Sequence, residues 1–182
     1  VDALLVVSFG GPERPEDVLP FLENVTRGRD VPRARLEEVA EQYHRFGGVS
    51  PLNGIVRALV ADLERLLAAQ GPALPVYWGN RNWHPLLSDT VRRMAGDGIR
   101  RALAFVTSAY SSYSGCRQYQ EDLARARAAA GARAPLLEKL RPFWNHPGFI
   151  EPLRAAAGAA RARFAAPPHV LFTAHSLPVA MA

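Results

Sequence analysis

The 182 residues hold one cysteine, Cys116. That excludes a disulfide framework within the chain, and it excludes a metal site built from this chain's thiolates alone. Lysine is as scarce: Lys139 is the only one, so arginine carries the formal net charge of +5. No apolar run approaches the roughly 20 residues that span a bilayer. The N-terminus shows no basic segment followed by an apolar signal core. These absences predict a cytoplasmic protein with no transmembrane segment. Internal repeats, low-complexity segments and long linkers are missing as well.

Hydrophobic residues make up 48% of the chain, enough for a substantial core. The arginines are spread over several segments, among them "LARARAAAGARA" and "AAAGAARARFAA", which read as helices with solvated faces. No nucleic-acid-binding motif accompanies them, so no nucleic-acid partner is expected. Arginine also suits small anions, because its planar fork matches a carboxylate in two places.

Short apolar runs alternate with longer stretches of helical period. Strands are expected at about 2–8, 74–79, 100–107, 135–141 and 169–174. Helices are expected at 15–26, 35–46, 52–70, 86–96, 115–130 and 147–165. Within "RLEEVAEQYHRF", Leu36, Val39, Tyr43 and Phe46 recur every three or four residues, as one helical face requires. This alternation predicts an α/β fold with a parallel sheet flanked by helices. The stretch "RPFWNHPGF" is the best candidate for a crossing between domains. A first domain over 1–140 and the start of a second over 141–182 follow. The second then has a helix and one strand here, too little to bury a core, so the chain reads as truncated.

Five segments carry more chemistry than a scaffold needs. "SFGGPE" follows the first strand, where Gly10 and Gly11 let a ligand approach the backbone, though a tight strand-to-helix turn is the favoured reading. The glycine spacing fits neither a Walker loop nor a dinucleotide fingerprint. In "FGGVSPLN", Ser50 precedes Pro51 and is placed to cap the next helix or to hold a carboxylate. "YWGNRNWHP" sets Arg81 between Trp78 and Trp83, which suits a flat anionic ligand, while His84 reads as structural. "TSAYSSYSGCRQY" is a hydroxyl-rich loop bearing three tyrosines, Tyr119 among them, and Cys116. Nothing local supplies the base that a nucleophilic cysteine needs. Last, "HVLFTAHSLP" runs an apolar strand of Val170, Leu171 and Phe172 into His175. Open α/β sheets place ligands at that carboxyl edge, where a histidine serves as metal ligand or proton carrier. A loop histidine bonded to backbone is the plain alternative.

Taken together, "LLVVSFGGPE", "FLENVTRGR", "FGGVSPLN", "YWGNRNW", "TSAYSSYSGCRQY" and "FTAHSLP" resemble the ferrochelatase family. The resemblance is nearest to its coproporphyrin III branch in Gram-positive bacteria. It covers essentially the whole chain, in family order, and corresponds to the N-terminal half of the family's length plus the start of its second domain.

The resemblance implies two Rossmann-like, chelatase-type domains with parallel sheets, the second incomplete here, and a porphyrin between them. It implies insertion of ferrous iron into coproporphyrin III in haem biosynthesis by a monomer. His175 matches the family's active-site histidine, the ligand for incoming Fe²⁺ and acceptor of the displaced protons. Ser50 and Tyr119 match porphyrin-contacting positions. Arg27, Arg29 and Arg81 are further partners for the propionates. Phe9 stands where relatives carry a tyrosine that ligates the product's iron; phenylalanine cannot ligate but still packs against the macrocycle. Cys116 falls where some members carry the first of four thiolates of a 2Fe-2S cluster. Other tetrapyrrole chelatases, such as a cobalt chelatase, and a non-catalytic tetrapyrrole-binding module remain the rival readings.

Overall fold

A computed structural model describes residues 1–173 of the chain. The chain folds as two compact units. The first comprises Val1–Thr107 with Tyr119–Leu140; the second comprises Ser108–Gln118 with the chain from Arg141 onward.

The first unit is an α/β layer built on a four-stranded sheet. Its strands are β1 (Ala3–Ser8), β2 (Val76–Asn80), β3 (Arg101–Val106) and β4 (Leu136–Lys139), in the order β2-β1-β3-β4. Every pairing is parallel: Leu5 lies opposite Tyr77 on one side and Ala104 on the other. β1 is therefore central, and Leu5, Val6 and Val7 are fully buried on both faces. That explains why "ALLVVS" is a continuous apolar run rather than an alternating one.

Helices fill the crossovers: α1 (Val18–Val25), α2 (Arg33–Arg45), α3 (Leu52–Gln70), α4 (Leu87–Gly96) and α5 (Gln118–Ala130). The larger core cluster joins Leu5 and Val7 of β1 to Ala104 of β3, Val91 and Met94 of α4, and Leu123 of α5. A second cluster packs Val18, Phe21 and Leu22 of α1 against Leu36 and Ala40 of α2. The helix expected from residue 15 begins instead as a 3₁₀ turn over Pro15–Asp17. There the Asp17 carboxylate accepts the backbone N–H groups of Glu13 and Arg14.

In the second unit, Tyr113–Arg117 form a π-helical turn opened by Ser112, whose Oγ accepts the Gly115 N–H at 2.9 Å. The helix expected over 115–130 thus starts only at Gln118. α6 (Pro147–Arg161) is capped by His146, whose Nδ1 accepts the Gly148 N–H. The Trp144 N–H donates to the Ala109 carbonyl, and the Phe149 ring meets Tyr110 and Phe143 edge-on.

One expectation is corrected. The strand expected at 169–174 does not form over the described residues 169–173, and Val170, Leu171 and Phe172 are exposed, Phe172 by 96%. An apolar run becomes a strand only beside another strand that takes its N–H and C=O groups. Among the described residues no strand does so. No helix there is long and apolar enough to cross a membrane.

Candidate functional site

Parallel strands deliver their carboxyl ends to one edge, and the glycine, serine and arginine motifs of the first unit meet there. β1 ends at Ser8, and Phe9 to Pro12 form the turn that follows. β2 ends at Asn80, and its following loop is tied to that turn: the Arg81 N–H donates to the Ser8 carbonyl at 2.9 Å and the Asn82 N–H to the Phe9 carbonyl at 3.0 Å.

The two glycines are explained by protein packing. Gly10 has φ +84°, and a Cβ there would lie 3.0 Å from both the Asn80 Cβ and the Trp83 nitrogen. A Cβ on Gly11 would lie 2.6 Å from the Ser50 Cβ and Oγ. Ser50 is thereby held against the turn, and its N–H donates to the Pro12 carbonyl at 2.8 Å. Its Oγ accepts the Leu52 N–H at 3.3 Å. Helix α3 spans the expected residues, but its N-cap is Pro51 rather than Ser50.

Beneath the turn lies a polar knot that sequence reasoning missed. Asn53, fully buried, donates to the carbonyls of His84 (3.1 Å) and Gly11 (3.4 Å). Asn80, also fully buried, donates to Asn53 Oδ1 and the His84 carbonyl and accepts from the Trp78 indole at 2.9 Å. His84 thus serves through its backbone, and its peptide with Pro85 is cis. The signal for the knot was present: Asn53 falls on the inward face of α3, where an unpaired amide would be costly.

Phe9 is 38% exposed, with its ring edge-on to Phe21, which in turn meets Trp83. These rings make an apolar wall beside the turn. Arg81 does not point to solvent. Its Nε lies 3.1 Å from Asp122 Oδ2 on α5, and its guanidinium stands 5.4 Å from the centre of the Tyr119 ring. Arg125 engages the other Asp122 oxygen. Burial pushes the Tyr119 hydroxyl up to about 12, against the pull of Arg81. Burial likewise raises the Asp122 carboxyl, while Arg81 and Arg125 draw it back. Asp122 had no such signal of its own in the sequence.

The structure therefore brings Phe9, Ser50, Arg81 and Tyr119 to one edge of the first unit. Arg27 and Arg29 stand exposed in the turn after α1, with Gly28 between them at φ +80°. No hydrogen bond or ion pair joins their side chains to the other site residues among those described. Cys116 lies half-buried in the π-helical turn of the second unit. His175 lies outside the described residues. Among those residues, no group of three or more His, Cys, Asp and Glu is placed to hold a metal ion.

A family model described as Ferrochelatase matches residues 1–182. The chain is 60% identical to a protein named coproporphyrin III ferrochelatase from Nocardia farcinica, over 99% of this chain and 52% of the relative. Proteins of the same name from Frankia alni and Mycobacterium avium are each 62% identical. These alignments cover 100% and 98% of this chain, and 47% and 52% of the respective relatives. The chain thus spans about half the length of the curated relatives it matches. By the match over its whole length, the chain belongs to the ferrochelatase family.

Proposed function

We propose that the protein to which this chain belongs inserts ferrous iron into coproporphyrin III to give coproheme. The observation that carries this is the family match over residues 1–182, with relatives of that name 62% identical across nearly the whole chain. The reaction exchanges two pyrrole N–H protons for one Fe²⁺, so it needs a base of near-neutral pKa beside the macrocycle. His175, matched to the family's histidine, is assigned as that base and as the ligand of the arriving iron, which a neutral imidazole accommodates.

Phe9, beside Phe21, supplies an apolar wall for the macrocycle. Ser50 and the exposed Arg27 and Arg29 are assigned to the propionates, for which free guanidinium forks are suited. No ion pair engages Arg27 or Arg29 among the described residues, and this supports the assignment. The second unit is assigned as the start of a second Rossmann-like domain. The same reading makes the enzyme a cytoplasmic monomer, in a compartment reducing enough to keep iron ferrous. Cys116 would be one thiolate of a 2Fe-2S cluster. Such a cluster takes four thiolates, of which this chain would supply at most one, and no step runs through it.

The test is anaerobic addition of Fe²⁺ and coproporphyrin III to a full-length enzyme carrying this chain. An iron-porphyrin spectrum should replace that of the free porphyrin far faster than without enzyme. Insertion of cobalt but not iron would move the protein to the rival chelatases. Porphyrin binding without insertion of either metal would make it a binding module.

A further inference from the structure

The contacts of Arg81 are those of a brace. Its side chain is 12% exposed and that of Asp122 10%. Tyr119 and Asp122 stand one turn apart on α5, so both face the same guanidinium. Tyr119 is 5% exposed and belongs to the core. On its other side Arg81 belongs to the loop whose N–H groups hold the Ser8 and Phe9 carbonyls. The Arg81 side chain therefore ties that loop to α5.

The contact with Asp122 depends on charge. Asp122 Oδ2 has no hydrogen bond although Arg81 Nε lies 3.1 Å away, because the N–H does not point at it. A neutral amide of the same shape at position 122 would lose the attraction without any change in size. A substrate carboxylate at Arg81 would have to displace a buried aspartate already in place.

We propose that Arg81 and Asp122 are positioning residues that lock the loop after β2 onto the Tyr119 face of α5 and so fix Phe9, with Arg81 binding no substrate carboxylate. For its ligand this rests on the porphyrin reading above; for its geometry it does not.

Two measurements on the 182-residue chain test it. The first is nitration of tyrosine by tetranitromethane, mapped by peptide mass spectrometry. In the wild type, Tyr110, 63% exposed, should react, while Tyr77 and Tyr119 stay protected. In Asp122→Asn and in Arg81→Gln, Tyr119 should react at least about tenfold faster while Tyr77 stays protected. Protection of Tyr119 in both variants would overturn the brace. Joint exposure of Tyr77 and Tyr119 would also overturn it, since the pair would then merely support the core.

The second measurement is a double-mutant cycle on porphyrin affinity, read by fluorescence. Each single variant should weaken coproporphyrin III binding about tenfold, and the double variant no more than the worse single, as for groups acting as a unit. Protoporphyrin IX, with half the carboxylates, should lose the same factor. If Asp122→Asn binds as tightly as wild type while Arg81→Gln weakens, Arg81 contacts a carboxylate and the proposal fails. If the wild type binds neither porphyrin, the porphyrin reading fails instead, and nitration still decides the brace.

Discussion

Gly11 shows how a single hydrogen atom shapes the site. A methyl group there would meet the Ser50 Cβ and Oγ at 2.6 Å, and the Ser50 backbone is tied to the Pro12 carbonyl. Gly11→Ala should destabilise the fold by about 1–3 kcal/mol, the usual result of overpacking, and weaken porphyrin binding by displacing Ser50. A urea midpoint equal to wild type would contradict this. His175→Ala, in the full-length enzyme, should lower turnover by roughly 10²–10⁴-fold, as loss of a general base does; near-normal turnover would remove His175 from its role. Asp122 gives the pH dependence a sign. Burial raises its folded pKa above the ordinary value, so the folded state binds more protons than the unfolded one just above that value. Its contribution to stability therefore falls as pH rises through that window. Asp2 does the reverse: the Arg100 and Arg101 N–H groups lower its pKa, and its contribution is lost as pH falls through the lowered value. Asp122→Asn removes only the first effect. From about pH 4 upward, the Tm of the wild type relative to this variant should fall, and a pH-independent difference would refute the assignment. Glycines and histidines were legible in the sequence as residues of interest. That Gly10 and Gly11 make room for protein was not, because their neighbours, Asn80, Trp83 and Ser50, are distant in sequence.

Strands β1 to β4 and the helices between them were legible because burial imposes their periods directly on the sequence. β1 is apolar throughout since both its faces are covered, and α4 repeats Leu87, Val91 and Met94 on its inward side. What a one-dimensional pattern cannot contain is a partner. Val170, Leu171 and Phe172 are apolar like β1, yet without a strand alongside them among the described residues they form no ladder. The same limit hid the Asn53–Asn80 knot, which joins the start of α3, the end of β2 and the turn after β1 through side chains 27 residues apart. Three elements converge on that pair, so its removal should be felt as a loss of fold stability rather than of one contact. Asn53→Ala removes one of the two donors to the His84 carbonyl and the Oδ1 acceptor of Asn80, and it takes from the Gly11 carbonyl the donor it has here; a buried group left unsatisfied costs about 1–3 kcal/mol. The expected outcome is a lower urea midpoint with an unchanged slope, and an unchanged midpoint would show that the knot adds nothing to stability.

At the scale of the whole molecule, binding and turnover separate. The first unit owns both core clusters, the saturated central strand β1, and the residues assigned to hold the porphyrin: Phe9, Ser50, Arg27 and Arg29. On that assignment the first unit would bind a flat tetra-anion, and the chain's net charge of +5 would favour the approach of one. Metal insertion asks for more. His175 must be oriented toward the macrocycle, and the chain spans only about half the length of the relatives it matches. Among the described residues, no cluster of ligating side chains stands ready to receive iron. A misplacement of about 1 Å can cost 10²-fold in rate, so a histidine not held in the complete site should contribute little. The 182-residue chain should therefore bind coproporphyrin III, more weakly than a full-length relative does, and insert Fe²⁺ at close to the uncatalysed rate. Anaerobic titration of porphyrin fluorescence, followed by addition of Fe²⁺ and recording of the Soret band, measures both. Turnover near that of a full-length relative would show that the chemistry resides within this half, with the iron held by residues other than those assigned here.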